Sequence, residues 1–114
     1  MKTITTEELK SKMAQDHKFV LVDVRGDEAF EQEHIPGAVS SPLGALSQGI
    51  LCCVVKGAEI IVYCGSKECT LSPEAARRLE AMGFFNVYDY EDGLKGWRDA
   101  GMKTVGFRPL SKVA

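Results

Sequence analysis

The sequence predicts an α/β fold: a mainly parallel central sheet flanked by helices on both faces. Three observations carry that expectation. Residues 19–24 and 59–63 are short runs of apolar and β-branched side chains, the pattern of buried strands. Segments with apolar residues at helical spacing, some opened by capping residues, lie between such runs. The two kinds of element alternate along the chain, which is the order of a parallel sheet with helical crossovers.

In chain order, the first helix is expected near residues 6–15. Glu8 follows Thr5 at capping-box spacing, and Leu9 and Met13 recur at helical spacing. The strand over 19–24 comes next. Residues 27–33 read as a helix with Phe30 turned inward, and Pro36 with Gly37 marks a turn. Residues 38–40 suit a short strand. Residues 43–54 begin as a helix, weakened by Gly44 and Gly49. After the strand over 59–63, a polar segment leads to Ser72 and Pro73, read as the N-cap and first position of a helix. Ala75, Ala76, Leu79 and Met82 form its buried stripe, and Gly83 ends it. Residues 86–88 are a further strand. Residues 93–100 read as a short helix carrying Trp97 as a core aromatic. Beyond Gly101 no period is visible.

Composition bounds the function. The 114 residues fit one domain over 1–114, with its core at about 3–100 and a tail over 101–114. Apolar residues at 45% and charged residues at 26% are ordinary for a globular domain that needs no staple. A net charge of −2 lacks the basic excess of a general nucleic-acid binder. The N-terminal residues carry no secretory-type apolar core, and no apolar run approaches the ~20 residues that span a bilayer. A soluble, cytoplasmic protein is therefore expected, with Cys52, Cys53, Cys64 and Cys69 as free thiols. Adjacent Cα atoms lie about 3.8 Å apart. That is too close for an ordinary Cys52–Cys53 disulfide, and their apolar surroundings suggest packing. There is no Cys-x-x-Cys pair, and only His17 and His34 offer imidazoles, so neither a metal site nor a cofactor is expected.

The informative stretch is strand, Cys64, polar loop, helix. In open α/β sheets ligands bind beyond the carboxyl ends of the strands, and Cys64 occupies such an end. The amides of Gly65, Ser66, Lys67, Glu68, Cys69 and Thr70 can curl into an anion-binding nest. The following helix points its positive end at the same space. Both effects favour a thiolate, the reactive form of cysteine. The competing reading is a buried packing residue, since cysteine is among the most buried residue types.

Several motifs then resemble one known family, the rhodanese domains. Leu21-Val22-Asp23-Val24-Arg25, Glu28, Phe30 and His34-Ile35-Pro36-Gly37-Ala38 are similar to their N-terminal signature. Ile61-Val62-Tyr63-Cys64, the loop, Ala75-Ala76-Arg77-Arg78-Leu79 and Gly83-Phe84 resemble their active-site strand, loop and helix. Asn86-Val87-Tyr88 and Gly93-Leu94-Lys95-Gly96-Trp97 resemble the closing strand and helix. The likeness covers about residues 3–100, with the pieces in the family's order. The loop departs from the commonest pattern: it is two residues longer, contains no arginine, and resembles a subgroup with a second cysteine, Cys69, five positions on. The related dual-specificity phosphatases place an arginine six positions after their cysteine. Here that position is Thr70, which disfavours phosphate chemistry.

The resemblance implies sulfur transfer through a persulfide on Cys64. A small anionic donor such as thiosulfate would supply the sulfur, and a thiol or cyanide would accept it. A protein thiol is among the candidate acceptors. Residues 65–70 would bind the donor, with Lys67 either attracting it or simply solvated. Cys69 has two readings, a resolving thiol or a small loop residue. In the family Asp23 and Arg25 would brace the site wall; the alternative is a weak surface ion pair. His34 is read as ordering its turn rather than acting as a base. Two other classes stay open. One is a non-enzymatic rhodanese-like module that senses sulfur or redox state or binds a partner. The other is an arsenate or phosphate-ester enzyme, which the missing arginine disfavours.

Overall fold

A computed structural model describes residues 2–15, 18–46 and 49–107. His17, one of the two imidazoles considered above, lies outside that range, as do residues 108–114 of the tail. The elements run β1 (Lys2–Thr3), α1 (Thr6–Ala14), β2 (Val20–Asp23), α2 (Asp27–Gln32), β3 (Val39–Ser40), β4 (Ile60–Tyr63), α3 (Leu71–Ala81), β5 (Val87–Tyr90) and α4 (Gly93–Asp99). Two 3-10 turns, Leu43–Ala45 and Gly49–Cys53, lie between β3 and β4. The five strands form one parallel sheet in the order β1-β5-β4-β2-β3.

Period-two alternation splits the core across the sheet. Ile60, Val62 and Cys64 point to one side, where they meet Ala75, Ala76 and Leu79 of α3. Ile61 and Tyr63 point to the other, where Leu9 of α1 and Leu94 and Trp97 of α4 cover them. The expected two-faced architecture is therefore the observed one. At the start of α1, the Thr5 hydroxyl accepts from the Glu8 amide at 3.1 Å, and the Glu8 carboxylate accepts from the Thr5 amide at 2.9 Å. This reciprocal pair is the expected capping box. Trp97 is buried, edge-on to Tyr90, and donates its indole N–H to the Lys103 carbonyl at 2.9 Å.

Four local expectations need correction. The helix after the polar loop starts at Leu71 with Thr70 at the cap, so Ser72 lies inside the first turn and makes no cap bond. Pro73 is still tolerated there, because a first-turn amide has no partner within the helix. Residues 43–54 hold 3-10 turns rather than an α-helical start, in keeping with their two glycines. Phe30 is only half-buried and stacks on the His34 ring, with centroids 3.7 Å apart. Cys52 and Cys53 are exposed rather than packed. The sequence also gave no warning of β1, a two-residue edge strand. Part of the tail docks: Val105 and His34 exchange backbone hydrogen bonds at 2.8 and 3.0 Å, and the Phe107 amide donates to the Glu31 carbonyl. No helix among the described residues is long and apolar enough to cross a membrane.

Candidate active site

The sheet order places a topological switch between β2 and β4. From β2 the chain moves outward to β3; from β4 it moves the other way to β5. Connections that diverge from two adjacent strands leave a crevice at their carboxyl ends. Asp23 and Tyr63, the last residues of β2 and β4, are register partners at that crevice, and Cys64 follows at once.

Cys64 is 1% exposed and its sulfur lies in the apolar cluster under α3. Its thiol donates to Ser72 Oγ at 3.5 Å, and the Ser72 backbone N–H also points at the sulfur. The Cys69 thiol reaches the same sulfur. This differs from the expected cup formed by the amides of residues 65–70: the amide of Cys69 donates instead to the Ser66 carbonyl at 3.1 Å. The electrostatic outcome differs too. Burial, with help from the neighbouring Cys69 thiol, raises the Cys64 thiol above its ordinary value of 9.0, against the opposing bonds from Ser72. Removal from water outweighs the Ser72 bonds. In this closed arrangement Cys64 rests as a thiol.

The loop itself is held from behind. The first amides of α4 bond back to it, Leu94 N–H to the Cys64 carbonyl and Lys95 N–H to the Gly65 carbonyl, both at 2.9 Å. Gly93 permits this approach. It has a φ of +65°, and a Cβ there would lie 2.5 Å from the Cys64 carbonyl oxygen and 2.9 Å from the Ser66 nitrogen. Gly93→Ala should therefore destabilise the fold by about 1–3 kcal/mol and displace the loop. Thermal unfolding checks this. A midpoint lowered by about 4 °C or more is expected, and a fall under about 2 °C would show that the contact is soft.

On the other wall, Asp23 is fully buried. Arg25 closes a fork on it: Nε lies 3.0 and 3.1 Å from the two carboxylate oxygens, and Nη2 lies 2.8 Å from Oδ2. The Arg25 amide adds a bond to Oδ1 at 3.0 Å, and Nη2 also donates to the Ala29 and Glu33 carbonyls. This is a built-in pair rather than a loose surface contact. The Arg25 stem passes the loop, 3.9 Å from where a Gly65 Cβ would stand. Tyr63 completes the wall. Its hydroxyl accepts from the Ile35 amide at 3.1 Å, and burial, with the Asp23 charge, holds it far above its ordinary range. An open cleft of about 490 Å³ lies beside Arg25, lined also by Gly26, Asp27, Glu28, Ala29 and Gln32. Cys64 is not among its lining residues.

Of the expected site residues, Cys69 approaches Cys64, Gly65 and Ser66 are half-buried at the loop base, and Lys67, Glu68 and Thr70 are exposed. His34 Nδ1 lies 2.6 Å from the Phe30 carbonyl oxygen, in keeping with an ordering role. Sequence reasoning missed Ser72 as a partner of the sulfur, Gly93 as the loop's support, and Asp89. Asp89 is a 1% exposed carboxylate on β5 beside Ser72. A lone Asp inside the Val87–Tyr90 strand was the available signal.

A parallel α/β sheet with a thiol at its switch point, backed by a helix N-terminus, defines a class of cysteine-centred domains. The chain belongs to the rhodanese-like domain family, whose model matches residues 5–100. It is 35% identical over 82 residues to the HTH-type transcriptional regulator Rv0324 of Mycobacterium tuberculosis, covering 72% of this chain and 35% of that protein. It is 35% identical over 80 residues to the thiosulfate sulfurtransferase GlpE of Pseudomonas syringae, covering 69% of this chain and 72% of that protein. Among solved structures, the BH2092 protein from Bacillus halodurans superposes with a TM-score of 0.86 at 26% identity, covering 92% of this chain and 77% of that one. The chain spans 35% of the regulator and about half of other curated relatives it matches.

Proposed function

We propose that this chain is a sulfurtransferase that carries sulfane sulfur as a persulfide on Cys64. One observation supports this above the others: Cys64 sits at the switch point with its sulfur bonded to the first turn of α3. Family membership and a thiosulfate sulfurtransferase among the relatives favour the same chemistry. The thiolate attacks the outer sulfur of a small anionic donor such as thiosulfate, and sulfite leaves. A thiol or cyanide then takes the sulfur from the persulfide. A sulfur 1% exposed meets no donor as it stands, so the groups around it, the 65–70 loop among them, must part to let one in. Opening also restores water to the sulfur and relieves the burial that keeps it protonated. Lys67, at the exposed crest of that loop, then meets an incoming anion first.

The test is intact mass after exposure to thiosulfate. A gain of about 32 Da on Cys64 is expected, with thiocyanate released on adding cyanide. No gain and no thiocyanate would favour the alternative, a non-enzymatic sulfur-sensing or partner-binding module. A pH dependence follows from the raised thiol. The reactive thiolate accumulates only as pH rises through and beyond the ordinary value of 9.0. The ultraviolet absorbance of the Cys64 thiolate, titrated without donor, should therefore still be climbing at pH 9. A plateau already reached by pH 7 would contradict it. The Cys69 contact adds a further expectation: mild peroxide should join Cys64 to Cys69, seen as a loss of about 2 Da and a linked peptide. Adducts on Cys64 alone would reduce Cys69 to a filler.

A further inference from the structure

Asp89 is a buried carboxylate on β5. Val87 belongs to the cluster under α3, so Asp89, two residues on, faces α3 as well. There the Ser72 side chain lies near enough to pull its carboxyl down against the effect of burial. The Asp89 oxygen Oδ1 is buried with no hydrogen-bond partner among the described residues. Desolvation strongly disfavours a carboxylate so placed, and one neighbouring hydroxyl does not offset that. Ser72 in turn receives the Cys64 thiol at 3.5 Å. The three side chains thus adjoin in the order thiol, hydroxyl, carboxylate, and each residue is 1% exposed. The charged or titratable groups around them are Arg77 from α3, Glu91 just after β5 and Cys69 from the loop.

We propose that Asp89 takes up the Cys64 proton through the Ser72 hydroxyl as sulfur is loaded, acting as a positioning residue of the site. This rests on the sulfurtransferase reading above. As the Cys64 sulfur bonds to the outer sulfur of thiosulfate, the bond from that sulfur to sulfite breaks, and sulfite leaves with the electron pair. The thiol proton passes to Ser72 Oγ while the hydroxyl proton passes to Asp89. The products are a Cys64 persulfide anion, sulfite and a neutral Asp89, which gives its proton to water when the loop reopens. Burial raises the Asp89 carboxyl above its ordinary value, partly offset by the Ser72 side chain, and so makes it a better acceptor.

Single-turnover loading by thiosulfate, followed by unloading with cyanide, separates this role from others. Asp89→Asn should slow loading by about 100-fold at pH 7 and leave unloading within about twofold, because unloading removes no thiol proton. The loading defect should shrink above pH 9, where hydroxide does the same work. Ser72→Ala removes the middle group and should repeat the pattern, which covers the case in which Asp89→Asn folds poorly. A purely electrostatic Asp89 predicts the reverse, faster loading by an anionic donor once the negative charge is gone. Wild-type loading matched by both variants would overturn the relay and leave the sulfurtransferase reading intact. A wild type that takes no sulfur removes both.

A separate observation concerns the other two thiols. Cys52 and Cys53 are exposed, and their sulfurs lie 3.3 Å apart. Adjacent cysteines resist forming a disulfide. Two thiols this close can still close a ring on one soft atom without moving the backbone. We infer that this pair is a binding site for trivalent arsenicals. Each thiol gives its proton to an oxygen on arsenic, water leaves, and two sulfur–arsenic bonds form with no change of oxidation state. Titration with phenylarsine oxide should load one arsenic per chain that survives a monothiol wash. Cys52→Ser or Cys53→Ser should weaken that binding by more than about tenfold, the loss expected when a chelate becomes a single contact. Peptide mapping that places the arsenic on Cys64 and Cys69, with both variants unaffected, would overturn the inference.

Discussion

Cys64→Ser is expected to abolish sulfur loading and to lower thiosulfate-to-cyanide transfer by at least about a thousandfold. A hydroxyl stays protonated where even a raised thiol begins to ionise, and an oxygen–sulfur bond is a poor substitute for a persulfide. The replacement is nearly isosteric, and Ser72 Oγ and its backbone N–H remain in place to bond the new hydroxyl. The fold should therefore lose only about 1–2 kcal/mol, visible as a small shift in a cooperative unfolding curve. Intact mass should show sulfur on the wild type and none on the variant. Retained transfer, with sulfur mapped to Cys69, would move the nucleophile along the loop and end the present assignment.

The fold was legible because its signals are local and repeated. Residues 59–63 and 72–82 declare a buried strand and an amphipathic helix by their apolar pattern, and the capping box of Thr5 and Glu8 marks its own helix. Several failures share one cause: the deciding partner lies far away in sequence. β1 has only two residues and exists by pairing Lys2 and Thr3 with Tyr88 and Asp89. Gly93 looks like an ordinary helix start, yet its demand comes from the backbone of residues 64–66. Ser72 was read for the backbone of its own helix, while its hydroxyl serves Cys64 and Asp89. Cys64 itself was legible as a candidate. Its protonation was not, because the strength of desolvation depends on side chains from β2, α3 and the 3-10 turns closing over one sulfur.

Arg25→Ala is the second large effect, and it reaches both stability and the site. It takes the guanidinium away from the fully buried Asp23 carboxylate and leaves the Arg25 amide in place. Breaking one side of such a pair costs about 3–5 kcal/mol, most of it from the charge left behind. For a domain of this size that is a fall of well over about 10 °C in unfolding midpoint. Arg25→Lys should lie between, because an ammonium keeps the charge and loses the planar fork that meets both carboxylate oxygens. Adding Asp23→Asn to Arg25→Ala should restore part of the loss, since the stranded charge is then gone. That non-additivity separates a buried pair from a surface contact, for which all three variants would sit within about 1 kcal/mol of the wild type. The same deletion removes the stem beside Gly65, so loading by thiosulfate should fall even at temperatures where the variant is folded. Unchanged loading at those temperatures would show that Arg25 braces the sheet edge without shaping the loop.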